Sequence, residues 1–127
     1  MMQLHLANPD LATIETKVAG VTFEGRQYKL GCARRAAYRG AGLKWAVVRD
    51  PDNAFDPCAV KVLVGYADED GAQRWAHVGF VPADVARELA PVMDRTGKRP
   101  KVQGRIHGSS RRGRNLGCSL SIVVELS

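Results

Sequence analysis

The sequence lacks the features that mark membrane-spanning and secreted proteins. No apolar run in its 127 residues approaches the roughly 20 residues that a membrane-spanning helix needs. Residues 1–10 contain no basic segment and no long apolar core, so no secretory signal is predicted there. The three cysteines, Cys32, Cys58 and Cys118, are an odd number without CxxC spacing, which favours reduced thiols in a cytoplasmic protein.

Motifs for metal binding and catalysis are missing as well. The three histidines have no paired metal-ligand spacing, and neither Gly-x-Ser-x-Gly nor a phosphate-loop motif occurs. Three aspartates lie within residues 50–56, but a calcium loop of that spacing needs Asp or Asn at its fifth position and Gly at its sixth. The chain has Ala54 and Phe55 there. The sequence therefore predicts no enzyme activity, no metal and no cofactor.

The basic residues are concentrated where acids are absent. Eight Lys or Arg and no acid lie between Asp94 and Glu125, and seven more lie between Glu24 and Asp50. These two stretches hold 15 of the 19 basic residues, although the net charge is only +6. One such stretch is typical of a solvated surface, whereas two that flank an aromatic turn favour a polyanionic partner.

The turn of residues 49–56 is the predicted functional centre. Apolar residues 43–48 lead into it and the run of residues 59–64 leads out, so it connects two strands. Its Pro, Asn and Asp residues build tight turns, which do not ordinarily need an aromatic. Phe55, close to Asn53 and beside Asp56, therefore makes a small site with a flat apolar face, an amide and a carboxylate.

The chain's patterns predict one domain of α+β class with a mainly antiparallel sheet. Residues 1–14 are expected to form a loosely attached arm, and the domain is expected to span residues 15–127. Strands are expected at residues 16–23, 43–49, 59–66, 75–81, 101–107 and 119–126. Six short strands at this size are expected to close into a small barrel, because closure removes exposed edges.

One main helix is predicted after the fourth strand, at residues 83–94, with Pro82 at its start. Its apolar residues form a single stripe that faces a core, namely Val85, Leu89, Val92 and Met93. Pro91 removes a backbone donor, so a kink or break is expected near Ala90. Residues 33–39 are expected to form a shorter helix, while residues 26–30 are open to extending the first strand.

Several segments together resemble the HIRAN domain. They are Val-Ala-Gly-Val-Thr-Phe at residues 18–23, the turn at 49–56, Ala-Val-Lys-Val at 59–62, and Val-Gly-Phe-Val-Pro at 78–82 with the helix that follows. The resemblance covers roughly residues 17–125 and is to the form that stands alone in bacteria and phages. It implies an OB-like β-barrel that binds single-stranded DNA and captures its free 3′-hydroxyl end, with a role in DNA repair, replication or recombination.

The resemblance also implies which residues bind DNA. Phe23 on the first strand and Phe55 in the turn are expected to stack on bases, and Asn53 and Asp56 are expected to bind the terminal nucleotide. Further contacts are expected from Thr22, Arg49, Lys61, Phe80, Arg111, Arg112 and Arg114. The expected partners are single-stranded DNA or frayed 3′ ends of DNA, with a separate helicase or nuclease subunit as a second kind of partner, and no membrane.

Three positions depart from the pattern of the family. Thr22 stands where eukaryotic members have a basic residue, and Phe80 stands where a polar or basic residue helps to hold DNA. Cys58 replaces the usual Asn.

Elementary chemistry agrees with DNA-end binding. An aromatic ring that stacks on a base contributes about 1–3 kcal/mol, whatever the base. A terminal 3′-hydroxyl is a donor for the Asp56 carboxylate, whereas an internal nucleotide brings a phosphate that this carboxylate repels. One aspartate can therefore select an end.

Each assignment has an alternative. Phe23 and Phe55 are open to being core residues, and Asp56 to capping the turn. Arg49 and Lys61 are open to pairing with neighbouring acids, and residues 108–117 to forming a solvated connection. At the level of the whole protein, the alternatives are a protein-interaction domain that uses residues 80–93 and a nuclease that uses the acidic turn.

Overall fold

The computed structural model describes residues 3–5, 8–108 and 115–127, and these form an α+β fold with antiparallel strands, as predicted. The elements are β1 (Gln3–His5), β2 (Asn8–Lys17), α1 (Arg26–Tyr38), β3 (Lys44–Arg49), β4 (Val60–Ala67), β5 (Gln73–Phe80), α2 (Ala83–Thr96), β6 (Lys101–Gly108) and β7 (Leu116–Glu125). Neither described helix is long and apolar enough to cross a membrane.

The strands form two sheets, so the closed six-stranded barrel is not confirmed. One sheet has the order β1-β2-β7-β6 and the other the order β3-β4-β5. The edge strands β3 and β6 lie close together, but the described residues include no hydrogen-bonded ladder between them. The indole of Trp45 on β3 occupies the space that Gly104 on β6 leaves without a side chain. Side-chain packing therefore joins these two edges.

The expected strand at residues 16–23 is wrong beyond Lys17. Gly20 and Gly25 have φ angles of +74° and +75°, a left-handed conformation that an extended strand cannot contain. The backbone N–H of Phe23 donates to the carbonyl of Gly20 at 3.2 Å, which closes a turn. Phe23 therefore lies in the turn before α1 and not on a strand. Residues 26–30, which were open to extending that strand, begin α1 instead.

The predicted boundary between an arm and the domain falls inside β2. This strand pairs with both β1 and β7, and Ile14 is aligned with Ile122. Ala12 and Ile14 are fully buried. Alternate residues of β2 thus enter the core, which explains why this segment is part of the sheet.

The second helix confirms the predicted stripe, and all four of its apolar residues are buried. The helix begins after Pro82 and continues through Pro91 to Thr96, so it does not break near Ala90. Pro91 lies on the exposed face, where water can satisfy the carbonyl that loses its backbone donor.

The cysteines are free thiols, in keeping with the prediction from their number. Cys118 is buried on β7, and burial raises the pKa of its thiol to about 12. This thiol is consequently protonated at neutral pH and unreactive.

A backbone bridge connects the two sheets next to a glycine. Ala19 and Phe80 exchange both backbone hydrogen bonds, at 2.8 and 2.9 Å. A Cβ atom on Gly79 would collide with the carbonyl oxygen of Ala19 and with a methyl group of Val18. Glycine at position 79 therefore permits the close approach of the sheets.

We expect Gly79→Ala to destabilise the protein by about 1–3 kcal/mol, because the colliding oxygen belongs to the backbone and cannot move aside cheaply. Urea unfolding measures this loss. Gly42→Ala is the matched control, since a Cβ atom there meets nothing within 4 Å. Equal stability of the two variants would contradict the proposed role of Gly79.

Candidate nucleic-acid interface

The side chain of Asn53 organises the turn of residues 49–56. Its Oδ1 accepts hydrogen bonds from the backbone N–H groups of Phe55, at 2.9 Å, and Asp56, at 3.1 Å. Its Nδ2 donates to the carboxylate of Asp50 at 3.0 Å. Asp56 in turn accepts from the backbone N–H of Cys58 at 2.8 Å through Oδ1. The capping alternative for Asp56 is therefore confirmed for one of its two carboxylate oxygens.

Arg49 ties this turn to α2. It donates to Asp94 through Nε at 2.9 Å and Nη2 at 3.2 Å, and also to the carbonyls of Pro57 and Ala59. The hydrogen bonds with Asp94 raise the pKa of Arg49. The alternative that Arg49 pairs with a neighbouring acid is confirmed, and its side chain, 17% exposed, anchors the turn.

The anchored turn holds Phe55 out in the solvent. The side chain of Phe55 is 96% exposed and that of Phe23 is 64% exposed, so the alternative that either is a core residue is wrong. Both rings line a recess of about 380 Å³ together with Asn53 and the half-buried Phe80. We call this the aromatic recess. It brings together three of the chain's aromatic side chains from segments that are distant in sequence.

A second recess of about 300 Å³ shares Asn53, Phe55 and Phe80 with the aromatic recess and extends to Asp56. The two therefore form one continuous site. All four residues that the resemblance assigns to bases and to the terminal nucleotide lie around it, and Phe80 lies between them.

Arg26 places a positively charged guanidinium at this site, although the sequence analysis did not predict it as a site residue. Its guanidinium carbon lies 5.6 Å from the centroid of the Phe23 ring and 5.3 Å from that of Phe80, within cation–π range. Its Nη1 donates to the carbonyl of Gly20 at 2.7 Å. The available signal was its place in an acid-free stretch directly after Gly25, but the start of α1 was not recognised.

Lys61 adds positive charge near the site, and His77 packs against the Phe80 ring. Lys61 is aligned with Phe80 across the β4–β5 pair, and no described acid lies within ion-pair distance of it. His77 packs edge-on against Phe80 at 4.9 Å and donates from Nε2 to the carbonyl of Gly79 at 2.8 Å. Burial, followed by the charge of Arg26, lowers the pKa of His77, and Lys61 and Lys29 add to this effect. The sequence reasoning had considered His77 only as a metal ligand.

The remaining predicted contacts are less informative. Thr22 is exposed beside Phe23. Arg111, Arg112 and Arg114 lie outside the described residues. Among the described residues, no group of three His, Cys, Asp or Glu side chains could hold a metal ion.

The lowered pKa of His77 predicts a pH dependence of stability. The unfolded chain binds a proton on this histidine near pH 6.5, and the folded protein does so only at lower pH. The contribution of neutral His77 to the free energy of unfolding is therefore present above pH 6.5. It should be lost as the pH falls toward the pKa that His77 has in the folded protein. His77→Gln should flatten this loss in urea unfolding between about pH 7.5 and 5, whereas His107→Gln, which leaves His77 in place, should not. Identical pH profiles for the unmutated protein and His77→Gln would contradict this assignment.

Comparisons with known proteins agree with the nucleic-acid interpretation. The chain is 43% identical over 54 residues to a Fanconi-associated nuclease 1 homolog of Oryza sativa subsp. japonica. That match covers 42% of this chain and only 5% of the plant protein. No solved structure matches the chain significantly. The family model of the HIRAN domain matches residues 12–127, which is nearly the whole chain, and the protein therefore belongs to the HIRAN domain family.

Proposed function

We propose that this domain binds single-stranded DNA and captures its free 3′-hydroxyl end at the aromatic recess. The observation that carries the proposal is the meeting of two exposed phenylalanine rings with the Asp56 carboxylate around one continuous site. Exposing an aromatic ring to water is unfavourable in free energy, and these two rings add nothing to the core. A ligand that covers them would explain why they are exposed.

Stacking supplies the affinity that does not depend on sequence. Phe55 stands free on the turn and Phe23 stands beside Arg26, so each ring offers a face to a base. Every base has a π-face, and each stack contributes about 1–3 kcal/mol.

Cations around the recess attract the sugar–phosphate backbone. Arg26 lines the recess together with Glu24, and Lys61 is aligned with Phe80 on the neighbouring strand. Arg26 supplies a positive charge close to where Thr22 departs from the family's basic residue. Arg49 supports this interface indirectly, because its donors are used in holding the turn to Asp94.

Selection of the end is assigned to Asp56. Its Oδ1 caps Cys58, and the carboxylate's other oxygen accepts the hydrogen bond of a 3′-hydroxyl. A phosphate at that position would bring negative charge against the carboxylate, so internal nucleotides and 3′-phosphates are rejected.

The two other functions receive less support. A protein-interaction surface on residues 80–93 would need the apolar stripe of α2, which is buried in the core. A metal-dependent nuclease in the acidic turn would need carboxylates grouped around a metal ion, and the described residues contain no such group. The proposal is therefore a binding module that acts on DNA alone or beside a separate helicase or nuclease.

We expect Phe55→Ala and Phe23→Ala each to weaken binding of a fluorescent oligonucleotide by about 1–3 kcal/mol, through the loss of one stack. Their free energies of unfolding should change by no more than about 0.5 kcal/mol, because both side chains are exposed. Phe55→Tyr keeps an aromatic face and is the matched control, which should bind nearly as well as the unmutated protein. Unchanged affinity in both alanine variants would remove stacking from the proposal.

Oligonucleotides that differ only at the 3′ end test the role of Asp56. A hydroxyl end should bind at least about tenfold more tightly than a phosphate end, a difference of about 1.4 kcal/mol. Asp56→Asn keeps an oxygen that can cap Cys58 and removes the negative charge, so it should narrow this preference and lower affinity for the hydroxyl end. Asp56→Ala should lower affinity for hydroxyl ends and leave phosphate ends little changed. Equal binding of the two ends by the unmutated protein would exclude end recognition.

A further inference from the structure

The outer face of α1 carries aromatic and basic side chains that the aromatic recess does not use. Leu30, Ala33 and Ala36 pack one side of this helix into the core. Tyr28, Arg35 and Tyr38 recur at helical spacing on the opposite side, where the tyrosines are 73% and 77% exposed. Neither tyrosine is therefore needed to fill the core.

The charge of this helix is unusual for its position. From Arg26 to its C-cap Arg39 it has five basic residues and no acid. Arg26 and Lys29 stand in or near its first turn, where the helix dipole disfavours positive charge, and Gly25 provides no side-chain cap. These two cations weaken the helix, and no described ion pair offsets their charge. Their position therefore indicates an external anion as their partner.

A groove of about 510 Å³ runs along this outer face. The helix side of the groove is formed by Tyr28, Arg34, Arg35 and Tyr38. The other side is formed by Leu116 of β7 and by Asn115, which directly precedes that strand. Arg34 lies over the Tyr38 ring at 5.7 Å and donates to the carbonyl of Gly108 at 2.7 Å, so this part of the groove is braced. None of the described residues that line the groove is acidic.

The opposite flank of α1 differs in charge. The cavity there, of about 320 Å³, also contacts Tyr28 and Arg35, but it includes Asp68, Glu69 and Asp70. It also includes Arg39 and Arg74, so acids and cations balance on that flank, whereas the charged residues in the described lining of the groove are all basic and attract a polyanion.

The groove and the proposed end-binding site are lined by neighbouring residues of α1. Arg26 in the first turn of α1 lines the aromatic recess, and the next two residues, Gln27 and Tyr28, line the groove. The 13 residues of α1 extend over about 20 Å, enough for several nucleotides beyond a captured end.

We propose that the outer face of α1 is a second nucleic-acid subsite, which binds the nucleotides leading away from the captured 3′ end. Arg35 contacts a backbone phosphate, and Tyr28 and Tyr38, about 15 Å apart along the helix, stack on two bases with further nucleotides between them. The pattern of aromatic rings interleaved with cations is the one that binds single strands without sequence preference. This inference rests on the proposed function of the aromatic recess.

Oligonucleotide length separates the two subsites. We would measure Kd against salt concentration for a trinucleotide and a dodecanucleotide, each with a 3′-hydroxyl, using the unmutated domain, Tyr28→Ala/Tyr38→Ala, Arg35→Gln and Lys101→Gln. The trinucleotide should bind equally to all four proteins, because it occupies the aromatic recess alone. The dodecanucleotide should bind at least about tenfold more weakly to the double tyrosine variant. Arg35→Gln should reduce the log–log salt slope for the dodecanucleotide by about 0.7, the value for one phosphate contact on a single strand.

Lys101→Gln removes one exposed charge from β6 and is the matched control for Arg35→Gln. Equal changes in these two variants would mean that net charge, and not the α1 face, determines binding, and would overturn the inference. Unchanged dodecanucleotide binding in the tyrosine and arginine variants would also overturn it and would leave α1 as a surface for a protein or for solvent. Thermal unfolding checks that each variant is folded.

The trinucleotide keeps the two proposals distinguishable. If Phe55→Ala does not weaken trinucleotide binding, the proposed function of the recess fails. If Phe55→Ala weakens it while the α1 variants bind the dodecanucleotide normally, the second subsite alone fails.

Discussion

The pair of backbone hydrogen bonds between Ala19 and Phe80 is the constraint on which this structure depends. It joins the four-stranded sheet to the three-stranded sheet, and it requires Gly79 because any Cβ atom there would meet the Ala19 carbonyl. The same pair shapes the candidate site. Just after Ala19 the chain turns and presents Phe23, while Phe80 itself forms the middle of the recess. A contact that holds the two sheets together thus also sets the distance between two of the three aromatic rings.

The third ring is positioned by a turn that is built almost entirely by its own side chains. The Asn53 side chain accepts hydrogen bonds from the backbone N–H groups of Phe55 and Asp56. The Asp56 side chain accepts one from the backbone N–H of Cys58. Arg49 then connects the turn to Asp94 on α2. Because these polar groups satisfy one another, the turn can hold Phe55 almost fully exposed without any apolar packing beneath it. Such rigidity lowers the entropy lost when a base stacks on the ring.

Electrostatics extends the site beyond the recess. Arg26 lies over Phe23 and Phe80, and the cations near His77 help to lower the pKa of that residue. The outer face of the first helix carries further positive charge, with exposed tyrosines between its arginines. A polyanion with flat, stackable groups is the kind of ligand that complements both parts. In our proposal, the recess recognises the end of the strand and the outer face of α1 binds the nucleotides that lead to it.

The sequence alone determined the turn, the strands on either side of it and the buried stripe of α2, because short-range turn chemistry and helical periodicity are local properties. It also determined the family, since the segments that carry the resemblance are read directly from the chain. Tertiary structure decided whether the strands close into a barrel, because the packing of Trp45 against Gly104 depends on residues far apart in sequence. It likewise decided the places of Arg26 and His77, which no local pattern marks as members of the site. Exposure decided between core and surface for Phe23 and Phe55, because an aromatic residue is compatible with either until its neighbours are known.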